Sequence, residues 1–296
     1  MENFRGAVLM VIAMLGFAIE DSFIKLIGDA MPIGQILIML GLGGAFVFAI
    51  IVRLQGHALV ARSMLTAPVL VRGIGEMFGT VCFVSAIIYT PLSTASAILQ
   101  AMPLVVTLGA ALFLGEPVGW RRWGAVIVGF LGVLLIVRPG SDSFTPLSLL
   151  ALGAVIGLAT RDVATRKIPK TLSTMQLSYL GFLALLPAGT MLMVLTGTPA
   201  VTLDLRVSLL IIASIATAAF AYYAIVAAMR VGEISFVSPF RYTRLVFALI
   251  IGTVFFAERP DLLTLIGAAI IVASGVYTVL RERKLRLKRP LVPSKV

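Results

Sequence analysis

Apolar residues run in long blocks along this chain, and glycines, prolines and charges collect between the blocks. Segments can be drawn at about 6–27, 33–52, 66–89, 91–114, 122–138, 146–165, 173–195, 207–229, 234–256 and 262–280. Each is roughly 17–24 residues long, enough at 1.5 Å per residue to cross a hydrocarbon core of about 30 Å. Pro32, Pro91, Pro117, Pro139, Pro146, Pro169, Pro199 and Pro260 fall at or near the boundaries, where a missing N–H and a fixed φ are tolerated. The pattern predicts an all-α integral membrane protein of ten transmembrane helices.

The blocks also repeat. FLGEPVGWRRWGAVIVGFLGVLLIVR (113–138) parallels FFAERPDLLTLIGAAIIVASGVYTVLR (255–281), with Glu116 matching Glu258. After one extra residue, Gly124, Gly132 and Arg138 match Gly267, Gly275 and Arg281. Near the start, Gly16, Ala18, Asp21 and Lys25 match Gly157, Ala159, Asp162 and Arg166. A duplicated unit of this size is the mark of a membrane carrier. The boundaries expected are 1–140 for the first repeat (helices one to five), 141–283 for the second (helices six to ten) and 284–296 for a basic tail. Five spans per repeat is an odd number, so the second enters the membrane from the opposite side and the repeats are inverted.

Composition sharpens this picture. Hydrophobic residues make up 60% of the chain, charged residues 12%, and the mean hydropathy is +1.08; a soluble domain of this length needs more charge to cover its surface. The net charge of +11 is concentrated in short loops and in the tail, as in cytoplasmic segments of membrane proteins, and argues against nucleic acid. With the N-terminus inside, sixteen Lys and Arg fall in inner segments, against Arg138, Arg206 and Arg259 outside. Both termini are therefore expected in the cytoplasm, with the tail RERKLRLKRPLVPSKV resting near anionic lipid. One cysteine, Cys82, and one histidine, His57, cannot form an intramolecular disulfide or a zinc site. No cofactor and no metal is expected. The N-terminus MENFRG leads into a retained helix rather than a cleaved signal.

The stretch YTPLSTASAILQAMPLVVTLGAALFLGEPVGWRRWGAVIVGFLGVLLIV (89–137) resembles the EamA domain of the drug/metabolite transporter superfamily. A second copy is AAMRVGEISFVSPFRYTRLVFALIIGTVFFAERPDLLTLIGAAIIVASGV (227–276). Gly115-Glu116 matches the family's helix-ending Gly-Glu, whereas the second copy carries Ala257-Glu258. The resemblance implies ten helices around a central cavity in the bacterial inner membrane, working by alternating access. Related proteins export amino acids or take up riboflavin or S-adenosylmethionine, so the resemblance leaves the substrate open.

Ionisable residues inside a membrane are costly and mark cavities or partners. Here they are Glu20, Asp21 and Lys25 in helix one, Arg72 and Glu76 in helix three, Arg161 and Asp162 in helix six, and Arg241 and Arg244 in helix nine. Asp21 with Lys25, Arg72 with Glu76, and Asp162 with Arg166 stand four apart, so each pair shares a helix face; Arg72, Asp162 and Arg166 are assigned to structural ion pairs. Glu20 has no counter-charge at such a spacing, and Arg241 and Arg244 have none on their own helix. Two uses are open for these groups, a purely structural network or a cavity that holds a carboxylate by guanidinium and an amine by carboxylate. On the cavity reading, substrate is bound by Glu20, Asp21, Glu76, Ser96, Gln100, Tyr223, Ser238, Arg241, Tyr242 and Arg244, and protons are a candidate coupling ion. Pro103 and Pro239 free backbone carbonyls near the centre. Gly75-x-x-x-Gly79 and Gly153-x-x-x-Gly157 allow close helix approach.

No phosphate-binding loop, metal cluster or Ser/His pair stands in the sequence, which argues against an enzyme. The expected function is secondary transport of small polar or amphipathic metabolites, amino acids or their relatives first, with export favoured. Uptake of a vitamin or nucleoside-type metabolite is the alternative. A membrane-embedded enzyme or a channel is more remote, and the expected partners are substrate and lipid, with the chain a monomer.

Overall fold

A computed structural model describes residues 2–115, 119–140, 145–169, 171–231 and 234–288. These residues are helical apart from their connecting loops. The helices are α1 (Glu2–Gly28), α2 (Ile33–Leu54), α3 (Ala67–Tyr89), α4 (Leu92–Leu99), α5 (Met102–Leu114), α6 (Trp120–Val137), α7 (Ser148–Thr165), α8 (Thr174–Thr196), α9 (Leu205–Val231), α10 (Ile234–Val237), α11 (Thr243–Phe255) and α12 (Leu262–Lys288). Eight stretches, with Leu92–Leu114 taken as one, are long and apolar enough to cross a membrane, and Trp123–Val137 is a shorter apolar helix.

Two of the ten expected segments are broken rather than continuous. The fourth divides into α4 and α5 around Gln100 and Ala101, with Pro103 in the first turn of α5. The ninth divides into α10 and α11, joined by a 3-10 turn, Ser238–Tyr242, that contains Pro239. Proline lacks the N–H that the helical ladder needs at that point, so the ladder restarts one turn later. At the C-terminus, α12 continues to Lys288, into the stretch assigned to the tail.

Long helices pack in four close pairs, α1 on α9, α2 on α8, α3 on α7 and α6 on α12. Between apolar helices in lipid, closeness comes from small residues at the crossing. A Cβ added to Gly157 would lie 2.5 Å from Gly79 Cα and 3.0 Å from Gly75 O, so α3 and α7 cross backbone to backbone. The two glycine motifs thus serve a contact within the chain. Gly16 meets Ala221 in the α1–α9 crossing, and Gly132 meets Gly267 in the α6–α12 crossing.

The main apolar core lies among Ile27, Leu37, Ile87, Leu92, Ile98 and Ile271, while Phe46, Leu112, Phe113 and Val254 stand on the exterior. Exposed apolar side chains of this size suit a molecule whose outer solvent is lipid.

Candidate functional site

The helix breaks place the polar groups. Gln100, at the end of α4, donates Nε2 to Tyr242 O at 3.2 Å, tying the first break to the second. Around this point the intramembrane charges gather in two groups.

The first group joins α1 and α11. Asp21 is buried, and its carboxylate takes three hydrogen bonds from Arg244, from Nη2 at 2.9 and 2.7 Å and from Nε at 3.2 Å. The guanidinium carbon also lies 5.3 Å from the Phe17 ring centroid and 5.4 Å from that of Phe83. A planar fork that satisfies both oxygens of a carboxylate, with aromatic faces around it, is held more firmly than a point charge. Next to it, Glu20 is half-buried and has no hydrogen bond or ion pair among the described residues.

The second group joins α3, α7 and the 3-10 turn. Arg161 donates Nη1 to Glu76 Oε1 at 3.0 Å and Nε to Asp162 Oδ1 at 2.8 Å. The other Glu76 oxygen lies 3.5 Å from Arg72 Nη2. Arg241 is half-buried near Asp162 and Arg161, and it too has no hydrogen bond or ion pair among the described residues. This group therefore holds three guanidiniums against two carboxylates, while the first holds two carboxylates against one guanidinium. Each holds one ionisable group more than its neighbours pair, an acid in the first and a guanidinium in the second, and such groups inside a membrane protein mark a cavity or a partner.

Several expectations change. Asp21 turns to Arg244 rather than to Lys25 four residues on. Asp162 pairs with its neighbour Arg161, and Arg166, expected to meet it, is exposed at the end of α7. Tyr223, expected to line the cavity, is 66% exposed on the surface of α9, because on a helix its side chain points about 100° away from that of Tyr222. Tyr222 faces inward and meets Phe48 edge-on at 5.1 Å. Ser96 is buried with its Oγ unpartnered, and the buried Tyr242 hydroxyl is unpartnered as well. The Ser238 side chain and Glu116 lie outside the described residues.

One cluster was not anticipated as a cluster. Glu258, noticed in the sequence only as a repeat landmark, accepts Leu92 N at 2.6 Å, Ser93 N at 2.9 Å and Ser93 Oγ at 2.6 Å. It caps the start of α4, where a carboxylate satisfies free N–H groups and the helix dipole. Lys25 Nζ stands 3.6 Å from the same carboxylate and donates to Ile87 O at 2.8 Å and Thr90 O at 2.7 Å. No sequence signal pairs residues so far apart. Phe17 and Phe83 beside Arg244 were missed for the same reason.

The EamA-like transporter family matches this chain twice, over residues 4–138 and 146–280. The chain is 26% identical over 215 residues to an S-adenosylmethionine uptake transporter of Rickettsia felis, covering 73% of this chain and 72% of that protein. It is 33% identical over 196 residues to a riboflavin transporter of Vibrio cholerae, covering 66% and 64%. It is 27% identical over 272 residues to a pseudopaline exporter of Pseudomonas aeruginosa, covering 92% and 94%. A protein crystal structure at 20% identity matches with a TM-score of 0.63, over 96% of this chain and 99% of that one, a likeness of fold. With two family matches that together take in nearly all of its helices, the chain belongs to the EamA-like transporter family and is a multi-pass membrane transporter rather than an enzyme.

Proposed function

We propose that this protein is a secondary active transporter for small polar or amphipathic metabolites, amino acids or related zwitterions first, exporting them across a bacterial inner membrane by alternating access. One observation carries the reading. Glu20 and Arg241 are half-buried without partners, while Asp21, Arg244, Arg72, Glu76, Arg161 and Asp162 around them are paired. An unpaired acid on one side and an unpaired guanidinium on the other suit a ligand that brings an amine to Glu20 and a carboxylate to Arg241. Glu20 is also the group best placed to carry a proton for coupling, since nothing competes for its carboxyl.

Inverted repeats underlie the proposed cycle. In support, the α1–α9 crossing at Gly16 and Ala221 corresponds to the α7–α3 crossing at Gly157 and Gly79, each partner shifted by about one repeat. Two halves that pack alike are suited to exchange roles between an inward-open and an outward-open state. The match to a pseudopaline exporter over nearly the whole chain favours export.

Uptake of a vitamin or nucleoside-type metabolite is the second reading, favoured by the S-adenosylmethionine and riboflavin relatives. Counterflow in proteoliposomes tests both. Amino acids, riboflavin and S-adenosylmethionine are each loaded on one side, and trans-accelerated, saturable exchange identifies the carrier and its substrate. A linear, unsaturable flux overturns the carrier reading in favour of a channel.

A further inference from the structure

Lys25 and Glu258 lie outside both charged groups of the site, yet they are the more unusual construction. Glu258 belongs to the second half of the chain; everything it holds belongs to the first. Its side chain is 8% exposed, that of Lys25 is 16% exposed, and the Lys25 ammonium sits 5.5 Å from the centroid of the Phe256 ring. The carboxylate takes two backbone N–H groups and a hydroxyl from the first turn of α4, and the ammonium takes two carbonyls from the end of α3 and the bend after it. One residue of each half therefore pins the α3–α4 corner to the end of α11.

The cluster stands directly over the site. Lys25 is one helical turn beyond Asp21 on the same face of α1, about 6 Å along the axis. On α4, Ser93, Ser96 and Gln100 follow at helical spacing, from the Glu258 carboxylate to the break at Tyr242. Between them, the buried Ser96 Oγ has no hydrogen-bond partner, an arrangement disfavoured in a site that stays closed. The segment that delivers Glu258 is itself under backbone strain. Ala257 adopts a left-handed φ of +51°, where the matching residue of the first half is Gly115 at +65°. A residue with a Cβ is disfavoured in that region, which glycine adopts freely. Strain held by hydrogen bonds is released when they break.

We propose that Glu258 is the latch of one gate of the transport pathway, the gate on the side opposite the chain termini. Latched, it closes the α3–α4 corner over Asp21, Ser96 and Gln100; released, it lets that corner and the end of α11 part, and the site opens to the exterior. The substrate itself does not occupy the latch. The proposal rests on the transporter reading for its purpose but not for its geometry.

The test uses the full chain with its one native cysteine replaced (Cys82→Ser) and a reporter placed beneath the latch (Ser96→Cys). Labelling by a membrane-impermeant maleimide is followed in right-side-out and inside-out vesicles. With Glu258 intact, labelling from the exterior is slow. Glu258→Gln keeps the shape but loses the charge-assisted bonds, and exterior labelling accelerates about tenfold. Ser93→Ala, which removes one of the three bonds, gives a smaller rise and serves as the second variant if Glu258→Gln does not accumulate. Unchanged labelling in a folded Glu258 or Ser93 variant, or a rise confined to inside-out vesicles, overturns the proposal. In a second arm, Ser93→Cys and Glu258→Cys are cross-linked by a short, reducible thiol reagent. Counterflow stops, and reductant restores it; counterflow that continues in fully cross-linked protein overturns the latch. If no solute shows counterflow before cross-linking, the transporter reading fails, and the labelling arm still decides the latch.

Discussion

Gln100 donates to the backbone carbonyl of Tyr242 at 3.2 Å across a separation of 142 residues. The two family matches begin at residues 4 and 146, also 142 apart. The bond therefore joins the same position of the two halves, at the breaks where α4 meets α5 and the 3-10 turn meets α11. A contact between equivalent positions lies near whatever axis relates the halves, which puts the helix breaks at the centre of the molecule. The charges of the site are arranged around it, with Arg241 and Arg244 immediately beside Tyr242.

Arg241 and Arg244 share a sequence neighbourhood but are expected to behave differently on substitution. Arg244→Ala leaves the Asp21 carboxylate buried and unpaired, which costs about 3–5 kcal/mol and should appear as low yield or a lowered melting temperature in detergent. Arg241→Ala removes no bond and should keep stability within about 0.5 kcal/mol. It should instead raise the half-saturation concentration of a carboxylate substrate about 10–100-fold, and that of its amide analogue much less. Equal effects on the two ligands reject Arg241 as the anion-binding group.

Glu20 and Asp21 are adjacent, and the same logic separates them. Glu20→Gln should insert and melt like the parent protein, because the carboxyl has no partner to lose. Its transport should become insensitive to an imposed pH gradient, measured as solute flux into proteoliposomes with and without the gradient. Asp21→Asn should weaken the hold on Arg244 and lower the melting temperature. A Glu20→Gln protein that still responds to the gradient removes this residue from any coupling role.

Helix crossing is tested by glycine. Gly157→Ala places a methyl group against the Gly79 backbone, which cannot yield without moving α3, and should destabilise by about 1–3 kcal/mol. Gly73→Ala, on the same α3, meets nothing within 4 Å and should stabilise by up to about 1 kcal/mol through helix propensity. Thermal unfolding of the two variants in one detergent compares them directly.

At the exposed end of α6, Arg138 forms an ion pair with Asp261, which also accepts Thr264 N at 2.8 Å at the start of α12. The hydrogen bond from Arg138, followed by those from Thr264, holds the Asp261 carboxyl at about 2. Its pKa is thus below the unfolded value of about 3.9. A depressed carboxylate contributes stability above the unfolded pKa and loses it as pH falls through the folded one. The melting-temperature difference between the parent and Asp261→Asn should be constant from about pH 5 to 8, shrink below about pH 4 and vanish near pH 2. A difference that grows on acidification contradicts this pairing.

Topology has a direct assay. A reporter that is active only in the periplasm should be inactive when fused after Val296, as the bias of Lys and Arg toward one set of loops requires. Activity there inverts the assignment.

The helical, membrane-embedded character of the chain and its internal duplication were legible in the residues, because each follows from a local quantity. Length and hydropathy decide whether a segment spans lipid, and a spacing of about one repeat between matching glycines and acids survives without any structure. Even the breaks were foreshadowed by Pro103 and Pro239, since proline acts on its own turn of helix. The partners of the charges were legible only where both stand on one helix and stay there, as Arg72 and Glu76 do at 3.5 Å. Spacing suggested Asp21 with Lys25 and Asp162 with Arg166, because only neighbours on one helix are visible in a sequence. Folding brought Arg244 to Asp21 from 223 residues away and Glu258 to Ser93 from 165 residues away. A bidentate, aromatic-flanked pair outcompetes a flexible pair on one helix face, since its guanidinium satisfies both carboxylate oxygens while Lys25 finds carbonyls at the α3–α4 bend. Tyr223 went outward and Tyr222 inward by the rotation of α9 against α1 and α2, a choice made by neighbouring helices and not written in either tyrosine. The sequence by itself thus determined which groups must be kept from lipid; only the tertiary structure decided which of them satisfy one another and which, Glu20 and Arg241, are left without a hydrogen-bond or ion-pair partner among the described residues.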